Sequence, residues 1–404
     1  MKILQINAVY NLSSTGRTTT ELHTALLEKG IDSYVAYAQT NRPDDANLYV
    51  IGNKNDRKLH AFMSRLSGKQ AYFSRGATKK LLDYIEKIKP DVVHIRNLHG
   101  NYINLPLLLD YLGKKDIPVV ATLHDFFFIT GKCVYFTTSG CDKWQTGCEK
   151  CPNLQSGNPT WFFDRTKTLF NDKLRLFSSI KKLAFIGVSD WVADEARKSP
   201  IAKNALVVKR IYNWIDFGKF HRTDVEKLRQ DKRFNGKFVI LGVSAFWEER
   251  KGLDKFLELS KRLGPDEVIL MIGNMPEGIS LPENIISVKR TDSVDELVEY
   301  YNCADVFLTF SLEETFGKVS AEALSCGTPV ICYNSTANPE LVGERCGVVV
   351  EKNDFDGIVN AIKEIKQNGK SYYADYCVKY AHDNFDKDKC IDQYIELYEE
   401  IMNN

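Results

Sequence analysis

Two carboxylates eight positions apart, Glu314 and Glu322, flank Gly317 in the run from Ser311 to Ile331. The apolar stretch Val306 to Phe310 reads as a buried parallel strand, and Val319 to Leu324 begins the helix after it. The turn Phe316-Gly317-Lys318-Val319 is then a helix N-terminus, whose unpaired N–H groups and positive dipole end suit a phosphate. Gly317 lets the backbone approach that anion closely. Glu322, one turn into the helix with its side chain tilted back toward the N-terminus, can reach a neighbouring ribose, and Glu314 can accept from sugar hydroxyls. Together these groups can hold a sugar nucleotide. Two glutamates around such a turn are also ordinary surface capping. The Gly327-Thr328-Pro329-Val330-Ile331 turn into another buried strand makes the combination more specific.

The elements that must position these residues alternate along the whole chain. Short β-rich runs (Lys2 to Ile6, Ser33 to Tyr37, Val92 to Ile95, Val119 to Leu123, Ala184 to Val188, Phe238 to Val243, Val268 to Ile272, Val306 to Phe310, Pro329 to Cys332) are separated by helical patterns. That rhythm implies parallel sheets with helices on both faces, an α/β class. It occurs twice, with a break near Tyr212 to Phe220, and 404 residues are enough for two cores. A net charge of +1 gives no global case for nucleic acid. The first apolar run is too short for a signal peptide and no stretch reaches the length of a membrane span, so a cytoplasmic location is expected. Ten cysteines in that setting read as reduced thiols.

Moving a sugar off a diphosphate needs charge compensation for the leaving group, a cradle for the sugar and room for an acceptor. Lys251 lies just past the first strand of the second half, at the carboxyl edge where open α/β sheets bind ligands, and its ammonium can neutralise phosphate oxygens. Arg250 is the adjacent cation. In the first half, the loop from Asn11 to Thr18 precedes a helix expected to open at about Thr19, and Gly16 would allow close approach of an anion or sugar ring. The three spaced glycines of a dinucleotide fingerprint are absent. His124 ends one strand. His94, Asn97 and His99 end the preceding one and could line an acceptor side, though each is as readily a fold-stabilising group. Arg290 and Thr291 end a further strand and could frame a base. The Asp354-Phe355-Asp356 pattern is more simply read as a helix cap than as a metal site.

The Glu314 to Glu322 stretch resembles the motif of two glutamates with seven residues between them in retaining glycosyltransferases of family four. The resemblance covers nearly the whole chain, most weakly from Lys54 to Lys89 and in the cysteine-bearing insert from Cys133 to Cys151. It implies a GT-B fold: two Rossmann-like, doubly wound parallel-sheet domains facing a central cleft, with a C-terminal helix crossing back to the first. The N-terminal acceptor domain would span 1–212 with 386–404, and the C-terminal nucleotide-sugar domain 213–385. The resemblance also implies a catalytic set of Glu314, Lys251 and His124. Donor contacts would come from Gly16, Arg250, Arg290, Thr291, Phe316, Gly317, Lys318, Val319 and Glu322, with Asn97 and His99 on the acceptor side. Family members usually carry an arginine five positions before the lysine, where this chain has Phe246. Front-face substitution follows, without a carboxylate nucleophile of the hydrolase kind. The donor would be a UDP- or GDP-sugar, no catalytic metal is expected, and the acceptor would be a glycan or a lipid-linked glycan in surface polysaccharide assembly. Rival readings are a GT-B-shaped epimerase or hydrolase, and a sugar-binding protein without turnover.

Two features stand outside that scheme. Cys133, Cys141, Cys148 and Cys151 fall within nineteen residues and could form a structural zinc site, the alternatives being free thiols or a disulfide. From Lys54 to Lys89, ten basic residues face three acidic ones, interleaved with Leu59, Phe62, Met63, Leu66, Tyr72 and Phe73; Lys167 to Lys182 is similar. Such stretches suit either a solvated basic helix face or peripheral contact with the inner face of a membrane, at about 1 kcal/mol per basic residue near anionic headgroups.

Overall fold

The computed structural model describes residues 1–404. The chain divides into two compact units, Met1–Ile211 with Ile391–Asn404, and Tyr212–Cys390.

The first unit is built on seven strands: β1 (Lys2–Tyr10), β2 (Asp32–Thr40), β3 (Leu48–Val50), β4 (Val92–Ile95), β5 (Val119–Leu123), β6 (Leu183–Gly187) and β7 (Val207–Arg210). All neighbours pair in parallel, in the order β3-β2-β1-β4-β5-β6-β7. Every residue of β4, β5 and β6 is buried, as expected of short apolar runs covered on both faces. Parallel neighbours need crossovers, and helices such as Ser13–Glu28, Arg75–Ile88 and Leu105–Lys114 provide them. Local signals fix their starts: Asn104 caps Leu105–Lys114 through a bond from the Leu107 N–H, with proline in the first turn.

The final helix, Lys387–Asn403, enters the first unit from Ile391 onward. The Tyr398 hydroxyl lies 2.7 Å from His94 Nδ1, and that of Tyr394 lies 3.0 Å from Thr122 Oγ1. His94 therefore belongs to the core: burial drives its pKa well down, and its other ring nitrogen meets Thr122 at 2.8 Å.

The second unit has six strands: β8 (Phe238–Phe246), β9 (Glu267–Asn274), β10 (Ile285–Val288), β11 (Val306–Thr309), β12 (Val330–Tyr333) and β13 (Gly347–Val350). Their order is β10-β9-β8-β11-β12-β13, again parallel. Strand order reverses between β1 and β4 in one unit and between β8 and β11 in the other. Each sheet thus has a crevice at the carboxyl ends of those two strands, where ligands of such sheets bind. Asp354 caps the helix Phe355–Asn368, its carboxylate accepting from the Gly357 N–H at 2.9 Å.

Candidate active site

In the second unit, β8 and β11 deliver the two main candidates side by side. After β8 the chain passes through a short helical turn, Glu249–Lys251, and Gly252 reverses it in the left-handed region at φ 78°. A Cβ on Gly252 would lie 2.2 Å from the Phe310 Cβ, so only glycine fits. That turn sets the Lys251 ammonium against the Glu314 carboxylate in an ion pair and 3.5 Å from Ser311 Oγ. Both side chains retain partial solvent access.

The loop carrying Glu314 is splinted by the segment after β12. Thr336 Oγ1 accepts the Glu314 N–H at 3.0 Å, and Asn338 Nδ2 donates to the Ser311 carbonyl at 2.9 Å. Thr336 and Asn338 did not stand out in the sequence, because their role is to position backbone and leaves no motif. Next to them Gly317, at φ 87°, caps the helix Lys318–Ser325 with a left-handed residue; a Cβ there would meet Leu341 Cδ1 at 2.9 Å. The first-turn N–H groups of that helix are of the kind that suit an anion, and Val319 lines one small cavity together with Lys251 and Glu314. Lys318 and Val319 are half-exposed on its first turn.

Glu322 is buried one turn further on and accepts from the Tyr301 hydroxyl at 2.9 Å. Burial, and then the neighbouring Glu322 charge, push the Tyr301 phenol well above its ordinary pKa, so it remains a donor. Phe316 is also buried, its ring packed against Tyr212 and Phe385. Its side chain is a core group, and only its backbone is available to a ligand. Arg250 pairs with Glu248 at 3.0 Å, Phe246 stands exposed at the end of β8, and Arg290 and Thr291 follow the edge strand β10.

In the first unit the corresponding crevice carries Asn97, His99 and the start of the helix after β1. That helix begins at Ser13, not at Thr19, because the left-handed Asn11 and Ser13 turn the chain sooner than the run of small residues suggested. Gly16 therefore lies inside its first turn and is buried, where a Cβ would press to 3.2 Å from the Asn11 nitrogen and a Val9 methyl. Its smallness permits helix-to-strand packing. Asn97 receives the Asn7 side-chain oxygen on its N–H at 3.2 Å. His99 Nε2 sits 2.8 Å from Asp125 Oδ2, and Asp125 also takes the Phe127 N–H at 2.9 Å. Burial lowers the His99 pKa, but the Asp125 charge and hydrogen bond outweigh it and leave the imidazole raised; burial raises Asp125, and His99 outweighs that to leave it lowered. Asp125 was not singled out in the sequence, although its place directly after His124 at the end of β5 was a signal. His124 itself is buried there.

The cysteine expectation is corrected. Cys133, Cys141, Cys148 and Cys151 do line one small cavity, yet no group of three or more His, Cys, Asp or Glu is placed to hold a metal ion. The sulfurs have other partners: Cys133 and Cys151 hydrogen-bond to each other, raising the first thiol and lowering the second. Cys148 Sγ accepts the Gly131 N–H at 3.2 Å.

Residues 15–219 match the model described as Glycosyltransferase Family 4, and residues 224–383 the model described as Glycosyl transferases group 1. The chain belongs to the glycosyltransferases of family 4. Among relatives, Escherichia coli K12 WcaC, provisionally named a colanic acid biosynthesis glycosyl transferase, is 25% identical over 91% of this chain and 92% of its own. The alpha-monoglucosyldiacylglycerol synthase of Acholeplasma laidlawii is 24% identical over 72% and 70%. Among solved structures, the sucrose-phosphate synthase of Thermosynechococcus elongatus superposes with a TM-score of 0.70 at 15% identity, covering 100% of this chain and 99% of that one. Anabaena HepE in complex with UDP gives 0.68 at 15%, covering 99% and 100%. These likenesses show the GT-B fold, which this family 4 member shares in its two parallel sheets and its returning C-terminal helix.

Proposed function

We propose that the protein is a retaining glycosyltransferase that takes a hexose from a nucleoside-diphosphate sugar, UDP- or GDP-linked, and adds it to a glycan or lipid-linked glycan in surface polysaccharide assembly. The observation that carries this reading is the Lys251–Glu314 pair at the β8/β11 crevice beside the open N-terminus of Lys318–Ser325. The diphosphate would sit on the helix N–H groups and Lys251. Glu314 would orient sugar hydroxyls, and Glu322, held by Tyr301, the ribose. UDP in the HepE complex and the polysaccharide-related name of WcaC support the donor class and the setting.

Lys251 compensates the Glu314 charge, which makes that carboxylate a hydrogen-bond acceptor rather than a free nucleophile. Retention is then served by front-face substitution. The anomeric carbon to phosphate oxygen bond breaks, the acceptor oxygen bonds to that carbon on the same face, and the acceptor proton passes to a departing diphosphate oxygen. We assign the donor contacts to the second unit, with Arg290 and Thr291 near the base. The acceptor side is assigned to Asn97 and His99 of the first unit, while His124 would contact the donor sugar.

Incubation with UDP-, GDP- and ADP-sugars, with calorimetry and product NMR, tests the reading. Binding of one donor with transfer to an α-linked product from an α-linked donor is expected. Binding without turnover would favour a sugar-binding protein, and an epimerised sugar the epimerase reading. No heat with any donor would overturn all three.

A further inference from the structure

Among the large apolar side chains of the first unit that stand in solvent, five form a group: Leu59 (62% exposed) and Phe62 (48%) on the helix Lys54–Ser67, and Trp161 (47%), Phe162 (68%) and Phe163 (48%) on the segment after buried Thr160. Scattered exposed apolar residues are ordinary, whereas a contiguous group marks an interaction surface. These are contiguous. The Trp161 ring meets Phe62 edge-on at 5.7 Å, and the Trp161 N–H donates to the Arg65 carbonyl at 2.8 Å. The Phe163 carbonyl lies against Gly68, the left-handed residue that ends the helix, where a Cβ would come within 2.3 Å of it. Thr160 Oγ1 donates to that same carbonyl at 3.1 Å, and Gln155 Nε2 to the Thr160 carbonyl at 2.7 Å. These bonds fix the backbone that carries the three aromatic rings.

Charge around the group is mainly positive. Lys58, Arg65, Lys69 and Arg165 are exposed, the last stacked 5.3 Å above the Phe163 ring. Two carboxylates lie nearby, Asp56 taking the Ser74 hydroxyl at 2.6 Å and Asp164 taking the Cys151 N–H at 2.7 Å and the Thr166 hydroxyl at 2.6 Å, so these four cations outnumber them two to one. Aromatic rings beside an excess of cations match the boundary layer of an anionic bilayer. The same charges would repel a second copy presenting this patch.

We infer that this surface docks on an anionic lipid bilayer, with Trp161 and Phe162 seated among the headgroups and Lys58, Arg65, Lys69 and Arg165 on their phosphates. No helix is long and apolar enough to cross a membrane, so the contact lies on the surface. The inference deepens the lipid-linked acceptor reading and rests on it for its purpose, while its test does not depend on sugar transfer.

The full chain is mixed with phosphatidylcholine vesicles, with or without phosphatidylglycerol, at low and high salt, and sedimented. Binding to the anionic vesicles alone, reversed by salt, is expected. Trp161 is the most exposed tryptophan, since Trp144, Trp214 and Trp247 are buried and Trp191 half-buried; a blue shift of emission on binding should therefore vanish in Trp161→Phe. The pairs Trp161→Ser with Phe162→Ser, and Lys58→Glu with Arg65→Glu, should each weaken binding at least tenfold with unchanged Tm. Equal binding by these variants, no binding by the parent at low salt, or loss of a patch-dependent dimer instead would overturn the inference. Vesicle binding without donor binding would leave it standing and sink only the catalytic reading.

Discussion

Lys251 and Glu314, 63 residues apart in sequence, share an ion pair because β8 and β11 are neighbours at the point where the sheet order reverses. The pair places opposite charges where a diphosphate and its sugar would lie, and it is open enough to water for a ligand to exchange into it.

Removing either partner should cost far more activity than stability. Glu314→Ala and Lys251→Ala are each expected to lower kcat/KM for transfer by about 100-fold or more, the scale of losing one charged group at a reacting centre. A partly solvated pair contributes about 1 kcal/mol or less to folding, so Tm should hardly move. Steady-state kinetics beside thermal unfolding check both, and turnover near the parent's level in either variant would remove the assigned role.

Gly317→Ala tests the turn. The left-handed backbone costs a residue with a Cβ about 1–2 kcal/mol, and that Cβ would also crowd Leu341. Lower stability with donor affinity reduced several-fold is expected from denaturant titration and calorimetry; full donor affinity would show that the helix N-terminus is not part of the cradle.

Tyr301→Phe deletes the hydroxyl that serves buried Glu322. A carboxylate losing a buried charge-assisted bond costs about 1.5–3 kcal/mol. Weaker donor binding should accompany the lower Tm, with the deficit concentrated in nucleotides that carry an intact ribose.

The His99–Asp125 pair gives a pH signature. His99 is raised above its ordinary 6.5, so its contribution is complete below that value and is lost as pH rises through the raised folded value. Asp125 is lowered below 3.8, so its contribution is complete above that value and is lost as pH falls through the lowered folded value. The pair is therefore fullest between about pH 4 and 6.5. Lys173 opposes the charged imidazole and His124 favours the Asp125 carboxylate. Asp125→Asn should flatten the decline in stability above pH 6.5, measured as Tm in matched buffers; an unchanged slope would place that decline elsewhere.

The two-sheet architecture was legible because buried parallel strands such as Val119–Leu123 and Val306–Thr309 are unbroken apolar runs. Strands β3 and β7 were not: one has three residues, and the other, Val-Val-Lys-Arg, is a half-exposed sheet edge with no apolar period to read. Glu314, Gly317 and Lys251 stood out through their places after strands. Phe316 and His94 stood beside such places too, but their surroundings, Phe385 for one and Tyr398 for the other, come from distant sequence. Spacing cannot tell a side chain that faces a crevice from one that faces the core. The cysteines illustrate the same limit, since proximity in sequence set neither their sulfur directions nor their hydrogen-bond partners.

The phenols of Tyr394 and Tyr398 close over His94 and Thr122 from a segment that follows the whole of the second unit in sequence. During synthesis the first unit consequently waits, its own last layer missing, while all of the second unit is made and can fold as an insert. Nascent chains stalled before residue 391 should expose β4 and β5 to proteases and chaperones, so the earliest-made half becomes resistant to degradation only once Ile391–Asn404 has emerged and docked.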